Sequence, residues 1–76
     1  MTKETQMIEY MIQDLVEIIV DVQKIEYDAA MAMLYASSVY DKISDIETGF
    51  YRESPAYVYS FFQDEINFGK IVQAEL

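Results

Sequence analysis

The chain has 76 residues, with 14 Asp plus Glu against 5 Lys plus Arg, a formal net charge of -9, and no His, Cys or Trp. One domain, residues 1–76, is all this length allows, and the missing residue types exclude disulfides, thiolate zinc sites and the imidazole that most near-neutral acid–base chemistry uses. With 53% hydrophobic residues, two Gly and one Pro, the composition also excludes a disordered acidic tail and predicts an all-α fold, a small bundle of about four helices.

Residues 7–27 carry the strongest periodicity. At 100° per residue, Met7, Ile8, Met11, Ile12, Leu15, Ile18, Ile19, Val22 and Ile25 fall within an arc of about 140°. Thr2 or Thr5 is placed to cap this long first helix, with Glu4 well sited against its dipole. The opposite face holds Glu9, Gln13, Asp14, Glu17, Asp21 and Lys24, while Val16 and Val20 widen the apolar arc beyond what one neighbour covers.

A second short helix is expected over 29–36, capped by Asp28 and built from small helix formers, Ala29-Ala-Met-Ala-Met-Leu-Tyr-Ala36. Ser38-Val-Tyr-Asp41 has the spacing of a capping-box variant and predicts a short third helix through Ile43 or Ile46. Asp45-Ile-Glu-Thr-Gly49 reads as a turn, and Phe50-Tyr-Arg-Glu-Ser54 as an extended connector. Ser54-Pro55 is the clearest start signal in the chain, Ser as N-cap and Pro at the first helical position. The fourth helix then runs from Pro55 to Phe68, with Gly69 as its C-cap, Lys70 suited to its negative end, and the tail Ile71–Leu76 either docked or frayed.

Little in this pattern points to catalysis. Asp14, Glu17, Asp21, Lys24 and Asp28 make an acidic ridge. A carboxylate-based cation site on Asp14, Glu17, Asp21 and Glu65 is one reading, but a solvated helix face is the plainer one, since a general acid needs a desolvated carboxyl. The hydroxyls of Ser37, Ser38, Ser44, Ser54 and Ser60 have no His or Ser-x-x-Lys activator, and no phosphate-binding Gly loop is present. The expectation is no enzyme, no cofactor and no metal.

Seven Tyr and four Phe form an aromatic excess, clustered in Phe50-Tyr51 and in Tyr57-Val-Tyr-Ser-Phe-Phe62. A charge of -9 repels phosphate, so these rings read as core and protein contact, with no direct nucleic-acid binding. Glu65 falls near the centre of the last helix's apolar face. It lies either at a rim or paired with a cation such as Arg52 or a residue of a partner.

The run Asp45-Ile-Glu-Thr-Gly-Phe-Tyr51 with Ser54-Pro-Ala-Tyr-Val-Tyr59, preceded by Ala36-Ser-Ser-Val-Tyr40, resembles small acidic helical proteins of uncharacterised function from gut bacteria. The similarity spans residues 7–70 and implies a bacterial helical fold. Some proteins of that kind are encoded beside toxin genes, so the resemblance implies a neutralising partner role; it carries over no catalytic or binding residues.

The longest apolar run, Ala29–Ala36, is eight residues, and Met1-Thr-Lys-Glu-Thr5 lacks a basic leader, so no membrane contact and a cytoplasmic address are expected. The expected function is a protein–protein interaction module, antitoxin-like or an adaptor. The alternative is an acidic nucleic-acid mimic or regulator that occupies a basic protein groove. Middle helices of roughly eight residues span about 12 Å of a first helix about 30 Å long, which predicts an uncovered stripe and a homodimer centred on it. The candidate interface residues are Ile8, Ile12, Val16, Ile19, Tyr57, Phe61 and Glu65.

Overall fold

The computed structural model describes residues 2–69, and among these it contains four α-helices, two 3₁₀ turns and no strand: α1 Lys3–Gln23, α2 Tyr27–Tyr35, α3 Ser38–Ser44, the turns Ile46–Thr48 and Phe50–Arg52, and α4 Pro55–Phe68. The small all-α bundle read from the sequence is the fold. The expectations for Lys70 and for the tail 71–76 lie outside the described residues.

α1 starts where Thr2 Oγ1 accepts the Thr5 backbone N–H at 3.1 Å. It stops earlier than residue 27. Lys24 adopts φ 58° and its N–H donates to the Val20 carbonyl at 3.0 Å, so Ile25 belongs to the link and not to the helix. A non-glycine residue in this left-handed region leaves no composition signal, which is why periodicity overran the true end.

α2 is capped differently from expectation. The Glu26 carbonyl accepts the Ala30 N–H at 2.9 Å and no side chain caps the turn, so Asp28 sits inside the first turn, where its charge still suits the dipole. The α3 cap is Ser37, one residue before the expected Ser38. Its hydroxyl accepts the Tyr40 N–H at 3.3 Å and donates to the Leu34 carbonyl at 2.6 Å, joining the end of α2 to the start of α3.

The turn at 45–49 forms as expected. Asp45 Oδ1 accepts the Glu47 N–H at 3.0 Å, and Gly49 at φ 72° closes on the Ile46 carbonyl at 3.2 Å. Residues 50–52 are not extended. The Arg52 N–H reaches the Gly49 carbonyl at 3.0 Å, and the resulting 3₁₀ turn buries Tyr51 and sets Phe50 against Phe61 at 5.2 Å between ring centroids.

α4 begins at the predicted Ser54-Pro55. Ser54 Oγ accepts the Tyr57 N–H at 3.2 Å, and Gly69 at φ 77° ends the helix with its N–H on the Glu65 carbonyl at 2.8 Å. Ser54→Ala is expected to lower stability by about 0.5–2 kcal/mol through the lost cap. A shifted urea midpoint at unchanged slope checks this, and an unchanged midpoint contradicts it.

The core gathers Met11, Leu15, Val16 and Ile19 of α1 with Ala30, Leu34, Val39, Ile43, Val58, Tyr59, Phe61 and Phe62. The expected bare stripe on α1 is therefore largely covered within one chain. Val16 is 1% and Ile19 0% exposed, and Phe61 is 5% exposed, so none of these three candidate interface residues is free for a second copy. The middle helices do not cover α1 alone: α2, α3, α4 and the second 3₁₀ turn all contact it, and α4 by itself runs about 21 Å.

Candidate functional site

Tyr27, Met31 and Tyr35 stand four residues apart on α2 and so share one stripe of that helix. The three-residue link folds α2 back against α1, and this stripe then faces Glu9, Ile12, Gln13 and Val16 across an open groove of about 510 Å³, with Tyr40 of α3 also lining it. Tyr35 and Tyr40 meet edge to face with centroids 4.9 Å apart. Tyr27 and Tyr35 remain 49% and 48% exposed; Tyr10, Tyr57 and Phe68 are also exposed elsewhere on the chain, and here the two rings share one groove. Ile12 and Met31 are half-buried, and Glu9 is the one charged side chain in the lining.

The candidate interface residues do not form one surface. Ile12 and Val16 line this groove. Ile8 is half-buried against the core, and Ile19 is within it. On α4, Tyr57 is 48% exposed and packs edge to face on buried Phe61 at 5.1 Å. Glu65 borders a smaller cavity of about 290 Å³ with Met33, Ala36, Ser37, Phe62 and Ile66.

Glu65 has a definite task that neither sequence alternative named. Both its carboxylate oxygens accept the Ser38 backbone N–H, at 2.9 and 3.1 Å, so a residue 27 positions away caps α3 beside the local Ser37 cap. Arg52, the cation considered for it, instead sets its guanidinium carbon 5.4 Å from the Tyr51 ring centroid. Glu65→Ala is expected to cost about 1 kcal/mol and to loosen α3 more than α4. Hydrogen exchange at residues 38–44 reads this out, and protection unchanged there with the variant folded contradicts it.

The cation-site reading is not assembled. Asp14, Glu17 and Asp21 are exposed, Glu65 is engaged on α3, and the described residues contain no group of three or more His, Cys, Asp or Glu placed to hold a metal ion. Among the described residues no buried side-chain N or O lacks a hydrogen-bond partner; the nearly buried Tyr59, for instance, takes the Gln23 amide at 3.3 Å. No described helix is long and apolar enough to cross a membrane.

The groove itself was missed in the sequence, where the aromatic excess was located at 50–51 and 57–62. The four-residue spacing of Tyr27, Met31 and Tyr35 was the available signal. Comparison of the chain with protein-family models, with curated proteins and with solved structures gave no match.

Proposed function

We propose that this chain is a non-enzymatic, cytoplasmic protein-interaction module, antitoxin-like or an adaptor, that receives a partner protein on the α1–α2 groove. The observation that carries this reading is the pair of half-exposed tyrosines, Tyr27 and Tyr35, flanking a half-buried Ile12 and Met31 floor. Tyrosine offers a large contact area at little conformational cost and keeps a polar tip, and removing such a patch from water is a main driving force for association.

The homodimer on α1 loses its motive once Val16 and Ile19 are internal, and two copies would also bring charges of -9 together. A photo-crosslinking phenylalanine analogue placed at Tyr35, at Tyr27 and, for comparison, at Tyr57 tests the reading in cells that make the protein. A discrete heavier adduct from Tyr35 or Tyr27 is the expected result. Absence of adducts from all three positions removes the interaction reading.

The nucleic-acid-mimic alternative draws support from the exposed acids Glu9, Asp14, Glu17 and Asp21 along α1. It requires association that weakens steeply with salt, and salt-independent association removes it.

A further inference from the structure

The geometry points to an arginine-bearing amphipathic helix of another protein as the occupant of the α1–α2 groove, an inference that rests on the interaction reading above and names the partner's chemistry. Three features converge on it. The first is spacing: Tyr27 and Tyr35 are separated by two helical turns, about 12 Å along α2, with Met31 midway. On a partner helix, two residues seven or eight positions apart are separated by about 10–12 Å, and the residue between them shares their face. A helix laid along the groove thus sets one side chain at each tyrosine and a third over Met31 and Ile12.

The second is the chemistry of each position. The floor of half-buried Ile12 and Met31, laid over buried Val16, offers nothing to a polar group and takes an aliphatic side chain, with the unbranched Met31 adjusting to its shape. The half-exposed tyrosine rings attract a cation through the ring quadrupole, and guanidinium stacks on an aromatic face better than ammonium does.

The third is charge. Glu9 is the one charged lining residue, Asp28 follows Tyr27 on α2, and the whole chain carries -9, although Asp14 of α1 borders a different cavity beside Tyr51 and Arg52. Glu9 and the net charge disfavour an acidic occupant, a second copy of this chain included, and favour the approach of a basic helix. A small quaternary cation is less suited to the site, because Tyr35 and Tyr40 pack on each other at 4.9 Å and leave no slot between them.

The probe is a synthetic Ala/Gln-based helical peptide with two arginines about seven residues apart and a leucine between them on the same face. It is titrated into the isotope-labelled protein at low and moderate salt, with amide shifts followed by NMR. Saturable shifts are expected at residues 27–35 and at Ile12 and Gln13, with affinity falling as salt rises. Tyr35→Ser and Tyr27→Ser, both at exposed positions, each weaken binding by about tenfold while leaving the folded spectrum intact.

Four results overturn the inference: no shifts at ~1 mM peptide; shifts that map away from the groove or survive both tyrosine substitutions; a glutamate-for-arginine peptide that binds equally well; or tetramethylammonium saturating the same amides more tightly than the peptide. Concentration-dependent shifts of the free protein at these amides would assign the groove to a second copy and overturn it too. The two levels separate cleanly. A Tyr35 crosslink in cells without peptide binding defeats the arginine-helix inference alone, whereas absence of crosslinks from Tyr27, Tyr35 and Tyr57 defeats the interaction reading beneath it.

Discussion

Ile19→Asp is expected to abolish the cooperative fold, while Ile12→Asp, seven residues away on the same helix, leaves it standing. Ile19 is 0% exposed in a cluster formed by hydrocarbon and aromatic side chains, so a carboxylate there has neither water nor a cation to meet. Burying such a charge costs several kcal/mol beyond the aliphatic contacts it replaces. A 76-residue domain has only about 4–11 kcal/mol of total stability to lose. Ile12 is half-buried at the open floor of the groove, where an aspartate turns outward to solvent and forfeits about 1–2 kcal/mol of partial burial. Far-ultraviolet circular dichroism with urea titration separates the two. A folded Ile19→Asp would mean that α1 is not the central element of a single-chain core, and an unfolded Ile12→Asp would mean that the groove floor is interior.

Phe62→Ala is the second large effect. Phe62 is the bulkiest of the fully buried side chains, 1% exposed, with its ring 5.8 Å from that of Tyr59. Its removal combines the lost transfer energy of a whole aromatic ring with the cavity left behind, about 3–5 kcal/mol. The site has little scope to collapse, since α4 is tied to the start of α3 through Glu65 and Ser38 and to the end of α1 through Tyr59 and Gln23. The urea midpoint measures it, and a loss below about 1 kcal/mol would show that α4 does not close the core. Phe62 also borders the smaller cavity beside Glu65, so the same variant is expected to lower exchange protection in α3.

The helices themselves were legible because local chemistry writes them. Ser54-Pro55, Gly69 and Thr2 act through groups within a turn or so of their own position, and the 45–49 turn closes on its own side chains and Gly49. What escaped was set by contacts distant in sequence or by rare backbone choices. Lys24 ends α1 in a left-handed conformation that its side chain does not advertise. The one-residue shift from Ser38 to Ser37 depends on the Leu34 carbonyl, and Glu65 on α3 depends on how α4 crosses it.

The candidate site was less legible than the fold for a related reason. Periodicity gives the width of an apolar arc and says nothing of what covers it. Val16, Ile19 and Phe61 therefore read like surface when they are interior, while Tyr27 and Tyr35, which the sequence divides between the end of the first periodic segment and the second helix, remain half-exposed. Packing density in a small bundle is decided by which faces meet, and that is a tertiary property.

The most direct test of the groove as a partner-binding surface compares the wild-type chain with a Tyr27→Ser/Tyr35→Ser variant, each recovered gently from the cells that make it and sized by multi-angle light scattering. The expectation is a wild type in a defined complex heavier than the 8.9 kDa chain and a folded variant at the mass of the chain alone. Wild type and variant at the same mass, whether both as single chains or both in the same complex, would contradict it.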